Sequence, residues 1–217
     1  VGEKQCVVVD GNPGPRYARV GAPYGTLTAP ILYSPDGRLA YRAQRGEQHY
    51  VVIAGKESGP YEEIGYSHPL FSPDGKHVAF AAQKGERWRV VLDGVEGPEY
   101  PRVFGDTLVF SKDGRLAYAA SRDDGTGVVV AAGQEGKPYA WTSPPVFSPD
   151  GKRLAYLAAQ GPDRFLVLDG VEGPTYTDVS GSVPFFQKNG TLEFIALRDT
   201  VNEQGLHRML YRVLAEP

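Results

Sequence analysis

A four-residue turn, Ser34-Pro35-Asp36-Gly37, returns as Ser72-Pro73-Asp74-Gly75, Ser111-Lys112-Asp113-Gly114, Ser148-Pro149-Asp150-Gly151 and, in degenerate form, Gln187-Lys188-Asn189-Gly190. Successive copies begin 38, 39, 37 and 39 residues apart. That period is too short for a domain. It suits a single supersecondary unit that cannot bury both of its faces alone and must stack on copies of itself. The 217 residues therefore read as one domain, 1–217, made of units at 34–71, 72–110, 111–147, 148–186 and 187–217, with 1–33 preceding them.

Inside each unit the apolar runs are short and bounded by turn residues, the pattern of antiparallel strands joined by tight hairpins. Strand A precedes the turn, as in Pro69-Leu70-Phe71 and Pro145-Val146-Phe147. Strand B follows it as Leu39-Ala40-Tyr41, Val78-Ala79-Phe80, Leu116-Ala117-Tyr118, Leu154-Ala155-Tyr156 and Leu192-Glu193-Phe194. Strand C is a β-branched run such as Val51-Val52-Ile53 or Val90-Val91-Leu92. A second turn, Asp93-Gly94-Val95-Glu96-Gly97-Pro98 or Asp169-Gly170-Val171-Glu172-Gly173-Pro174, leads into strand D and its tyrosine. No segment carries helical spacing over a useful length.

Proline presets φ in such turns, aspartate bonds back to nearby amides, and glycine takes the positive φ that a side chain resists. Aspartates that recur once per unit are turn residues, since reading them as catalytic would require an active site in every repeat. Tyr17, Tyr61, Tyr100, Tyr139 and Tyr176 recur with the same regularity and read as packing residues whose hydroxyls find polar partners.

The strand A, Ser-Pro-Asp-Gly turn and Leu-Ala-Tyr or Val-Ala-Phe strand resemble the WD-like repeats of TolB-like β-propellers, also found in the propeller domains of prolyl-oligopeptidase-like proteins. The resemblance implies an all-β fold, a ring of four-stranded antiparallel blades around a channel. It also implies a periplasmic or secreted setting and a role in an envelope-associated or secreted assembly. Five A and five B strands give five blades, with Arg16-Tyr17-Ala18-Arg19-Val20 expected to complete the last blade and close the ring. The segment Gln5 to Gly11 leaves one C-like strand over, so six blades with one incomplete is the alternative.

If repeats build the scaffold, recognition falls to the residues that differ. The connections from D to A and from B to C are expected on one face, at a channel mouth offering Tyr24, Tyr66, His68, Asp106, Arg122, Asp123 and Trp141 to a ligand, although ordinary solvated loops would look the same. The function expected is a noncatalytic module binding a protein or peptide partner there. One alternative is a carbohydrate-active hydrolase or glycan binder using Asp106, Asp123, Asp124 or, in the B to C loop expected at Asp199 to Gly205, Asp199, since glycoside hydrolysis needs two acidic groups about 5–10 Å apart. Another is a fragment or idealised scaffold with no ligand.

Other chemistry has no motif behind it. His49, His68, His77 and His207 stand alone without a zinc-binding pattern, so no metal is expected. Ser67 beside His68 lacks a nucleophile elbow, Arg122-Asp123-Asp124-Gly125 lacks the spaced ligands of a calcium loop, and no phosphate-binding glycine loop or other cofactor motif occurs. The single cysteine, Cys6, lies in an apolar run and cannot form an internal disulfide. A formal charge of -3 offers no field for nucleic acid, and the apolar runs are too short for a membrane span.

Overall fold

The computed structural model describes residues 4–21, 31–65, 68–179, 183–202 and 205–215. These fall into two compact units, Val1–Asp106 and Thr107–Pro217. Apart from a 3-10 turn at Gly105–Thr107, the regular structure is β, and no helix among the described residues is long and apolar enough to cross a membrane.

The first unit opens with a hairpin of β1 (Val8–Val9) and β2 (Asn12–Pro13). Sheet one contains β3 (Arg19–Val20), β4 (Leu32–Tyr33), β5 (Leu39–Arg45), β6 (Gln48–Ile53) and β7 (Lys56–Tyr61). Its order is β3-β5-β6-β7, with β4 also on β5, so β3 and β4 are two pieces of one edge strand. Sheet two repeats this plan. Here β8 (Glu63–Ile64) and β9 (Leu70–Phe71) share the edge of β10 (Val78–Lys84), followed by β11 (Arg87–Leu92) and β12 (Val95–Tyr100). The short β13 (Arg102–Val103) comes last in this unit.

In the second unit, sheet three has β14 (Val109–Phe110), β15 (Leu116–Ser121), β16 (Gly127–Ala131) and β17 (Gln134–Glu135). Sheet four has β18 (Trp141–Thr142) and β19 (Val146–Phe147) on β20 (Leu154–Gln160), then β21 (Asp163–Leu168) and β22 (Val171–Tyr176). Sheet five is three-stranded: β23 (Phe185–Phe186), β24 (Leu192–Asn202) and β25 (Gly205–Ala215). Repeated four-strand-wide antiparallel blades make this an all-β fold of the β-propeller class.

Each recurring residue has a mechanical task. In the Ser-Pro-Asp-Gly turns the glycine amide donates to the carbonyl of the turn's first residue, at 2.9 Å for Gly75 to Ser72 and 2.8 Å for Gly151 to Ser148. The serine hydroxyl donates to the aspartate, at 2.6 Å in both Ser72–Asp74 and Ser148–Asp150. That bond is the main reason the carboxyls of Asp36, Asp74, Asp113 and Asp150 sit below the usual range, Asp74 at about 2. The turns also link neighbouring blades, because Arg38 donates to the Gly75 carbonyl and Arg115 to that of Gly151.

The periodic tyrosines pack as the sequence implies. Tyr61 of β7 meets Phe80 of β10 edge-on at 5.8 Å, Tyr139 meets Tyr156 at 6.4 Å, and Tyr176 meets Phe194 at 5.7 Å. Tyr17 and Tyr139 donate their hydroxyls to Glu57 and Glu172, at 2.6 and 2.9 Å. Tyr61, Tyr139 and Tyr176 therefore each join one blade to the next. The resulting apolar layers include Val51, Tyr61, Ile64, Phe80, Ala82 and Val91 between sheets one and two. Ala155, Leu157, Leu166, Leu192, Phe194 and Ala196 form the layer between sheets four and five.

The C to D hairpins are two-residue turns with positive φ at both central positions, the type I′ geometry whose twist matches that of the strands. Asp93 and Gly94 have φ of 52° and 83°, and Asp169 and Gly170 have 52° and 82°. Both aspartates also accept a hydrogen bond from the first amide of strand B, Val78 or Leu154, at 2.8 Å. Ala132 holds the same conformation, at φ 48°, without a side chain suited to it. Ala132→Asp is expected to stabilise the protein by about 1 kcal/mol, by relieving an unfavourable left-handed alanine and supplying the missing acceptor. A higher urea midpoint at unchanged slope is the signature to measure.

Two expectations are corrected here. Arg16–Val20 does not complete the last blade: Tyr17 bridges Gln5, while Arg19 and Val20 pair with Gln44 and Ala43 of β5. Register decides this, because β3 shares the edge of β5 with β4 and so takes the strand A place in sheet one. The segment 199–205, expected as a loop, is strand at residues 199–202 and 205, with β24 and β25 paired from Leu192–Ala215 to Asn202–Gly205. The B to C hairpins of sheets one, two and four turn at Gly46, Gly85 and Gly161, whereas the last unit has no glycine there before Gly205, so its strands run on.

Candidate functional site

Several residues that break the repeat lie together on sheet two. The antiparallel register places Glu63 of β8 opposite Gln83 of β10, and Gln83 opposite Trp88 of β11, so one face carries an acid, an amide and an indole in a row. Two residues on from Glu63, Gly65 is hydrogen-bonded from its amide to the Ala81 carbonyl at 2.8 Å. A methyl group on Gly65 would lie 3.2 Å from the Ala81 side chain and 3.7 Å from the Trp88 ring. The missing side chain lets the indole lie close over the backbone.

The chain returns to this face after β12. Pro101, Arg102, Val103, Phe104, Gly105 and Asp106, with Glu63, Gly65 and Trp88, enclose a cleft of about 540 Å³. This lies within the range of small-ligand and side-chain pockets. The Arg102 guanidinium stacks 4.9 Å from the centre of the Phe104 ring, leaving a flat aromatic wall, one cation and the carboxylates of Glu63 and Asp106 around the opening. Such a surface holds a side chain by stacking and orients it by charge.

The residues expected at a channel mouth are distributed differently. Tyr24 and Tyr66 lie outside the described residues. Asp106 lines the cleft. His68 lies in the break between β8 and β9, where burial and the Arg42 guanidinium of β5 hold its imidazole below the ordinary value. Arg122 and Asp123 share the β15–β16 turn, where Arg122 pairs with Glu135 of β17 at 3.4 Å. Trp141 belongs to strand β18, opposite Ala159, and is 44% exposed. His68 is thus an interruption in the split edge strand formed by β8 and β9.

Sequence reading missed Glu63, Trp88 and Arg102. Comparing units by register would have exposed them. The Trp88 position holds His49 in sheet one and Arg164 in sheet four, and Glu63 corresponds to Arg19 and Trp141.

The histidines give this region a pH response. His49 of β6, like His68, is held below its ordinary 6.5, first by burial and then by Arg42, with Glu63 opposing the effect at His49. A histidine depressed in the folded state binds its proton more readily when unfolded, so its contribution to stability is complete above 6.5 and lost as pH falls through the folded value. Thermal midpoints are expected to decline as pH drops below about 6.5, before most carboxylates titrate. His49→Gln should flatten that part of the profile.

No protein-family model matches the chain, and no curated protein matches it significantly. Solved structures do resemble it. TolB from Acinetobacter baumannii is 18% identical, with 85% of this chain matched to 54% of that one at a TM-score of 0.46. The β-propeller domain of the Trilobed protease from Pyrococcus furiosus is 11% identical, with 81% matched to 64% at 0.47. A prolyl endopeptidase is 13% identical, with 88% matched to 36% at 0.45. The chain thus spans less than two thirds of the length of each of these structures.

Proposed function

We propose that this protein is a noncatalytic binding module that takes a protein or peptide partner at repeat-breaking positions, with the Trp88–Phe104 cleft as its anchor point. The observation carrying this reading is the cleft itself: an indole packed over bare backbone, a second ring stacked by Arg102, and two carboxylates at the opening. Binding surfaces concentrate their energy in aromatic and arginine anchors of this kind. The reading carries with it the periplasmic or secreted setting implied by the repeat resemblance.

The carbohydrate-hydrolase alternative draws little support from the acids on which it depended. Asp199 accepts two hydrogen bonds from Arg208, at 2.8 and 2.9 Å, and Asp124 is held within its own turn by Thr126. Both carboxyls are pulled below the usual range by those bonds, whereas a glycosidase general acid needs one that is raised. Selection from a displayed random-peptide library, alongside a glycan hydrolysis panel, separates the readings. The expected result is a set of peptides that bind wild-type protein and no turnover of any glycan. Glycan turnover lost in Asp106→Asn or Asp123→Asn variants that remain folded would overturn it.

A further inference from the structure

Arg42 breaks the repeat in a second place. At its position in strand B the other units carry Ala81, Ala119, Leu157 and Ile195. Like Ala81, Ala119 and Leu157, Arg42 is buried, at 6% exposure. Its register partner on β6 is Val51, a member of the apolar layer between sheets one and two, so the side chain leaves β5 on the face turned toward sheet two. The cleft lies on the opposite face of sheet two, since Ile64 belongs to that apolar layer while its neighbours Glu63 and Gly65 line the cleft.

The guanidinium has no hydrogen-bonded anionic partner among the described residues. Among the described residues it makes one hydrogen bond, from Nη2 to the Ile64 carbonyl, and no ion pair, and Glu63 reaches it only through its field. Its Nε and Nη1 have no protein acceptor among the described residues. The neighbours within electrostatic reach are His49 from β6, His68 from the break after β8, and Glu63. A buried charge without a hydrogen-bonded counter-charge is costly, and the equivalent positions show that this fold does not need one.

We propose that Arg42 is the receptor for a carboxylate group of a ligand, bound between sheets one and two beside Ile64, with His49 and His68 as its polar neighbours. The planar guanidinium fork matches a carboxylate in geometry. A single negative charge balances Arg42, whereas a phosphate dianion would meet the opposing field of Glu63.

Thermal unfolding near neutral pH and at constant ionic strength tests this, with sodium acetate, the neutral isostere acetamide, and inorganic phosphate as probes against chloride. Wild-type protein is expected to show a saturable rise of about 3 °C with acetate, none with acetamide, and a smaller one with phosphate. Arg42→Leu, which installs the residue found at 157, should melt higher than wild type in chloride and lose the acetate response. Three results would overturn the proposal: no acetate-specific rise in wild type, the same rise in Arg42→Leu, or phosphate exceeding acetate. Should the leucine variant not fold, Arg42→Lys keeps the charge and loses the fork. Its acetate affinity is expected to fall about tenfold, and an unchanged affinity contradicts the assignment.

Discussion

Phe80→Ala is expected to lower the free energy of unfolding by about 3–5 kcal/mol, a large share of the roughly 5–15 kcal/mol that holds a domain folded. Phe80 belongs to β10 of sheet two and is fully buried, yet Val51 and Tyr61, two of its cluster partners, belong to sheet one. The Tyr61 ring meets it edge-on at 5.8 Å and an interplanar angle of 71°, a geometry that adds to the burial of either ring alone. Truncation leaves a cavity at a joint between blades, where neither sheet collapses into the space without pulling away from its own hydrogen-bonded ladder. Urea unfolding followed by tryptophan fluorescence measures the loss. Val95→Ala, at a position 71% exposed in the same sheet, serves as the control and should change stability by less than about 0.5 kcal/mol.

Trp88→Ala is the counterpart for recognition. For any peptide selected against wild-type protein, affinity is expected to fall by about thirtyfold or more, corresponding to the roughly 2 kcal/mol or greater loss typical of a buried aromatic anchor. The indole is one of the two aromatic rings lining the cleft, and Gly65 beneath it has no side chain to take over its surface. Trp88 is only partly buried and lies outside the apolar layer between sheets one and two, so the same substitution should cost much less stability than Phe80→Ala. Titration of fluorescein-labelled peptide by anisotropy reads the loss directly.

The scaffold was legible because its joints are local chemistry. A Ser-Pro-Asp-Gly turn bonds within four residues, so its serine, aspartate and glycine identify it without knowledge of the rest of the chain. The periodic tyrosines declared themselves through spacing, and they take the packing role that spacing implied. The destination of Arg16–Val20 was not legible, because choosing between the last blade and β5 depends on which edge Arg19 and Val20 pair with, a nonlocal contact. The candidate site was hidden for another reason. Trp88 opens a β-branched strand and Arg42 closes a Leu-Ala-Tyr motif, so both look like continuations of a scaffold element. Their difference emerges only when equivalent positions are compared across hydrogen-bonded neighbours. Asp199 misled in the opposite direction: polar and flanked by other polar residues, it read as a loop acid, but β24 continues through it and Arg208 pairs with it across the hairpin.

We propose a division of labour in which recurring residues hold the blades together and repeat-breaking residues bind. Its most direct test is the affinity of one selected peptide for Trp88→Ala and Asp74→Ala, measured side by side at a temperature where both are folded. The expected result is binding lost in Trp88→Ala and kept in Asp74→Ala, whose altered turn shows only as a lower unfolding midpoint. Binding that survives loss of the indole but fails with loss of the turn aspartate would contradict it.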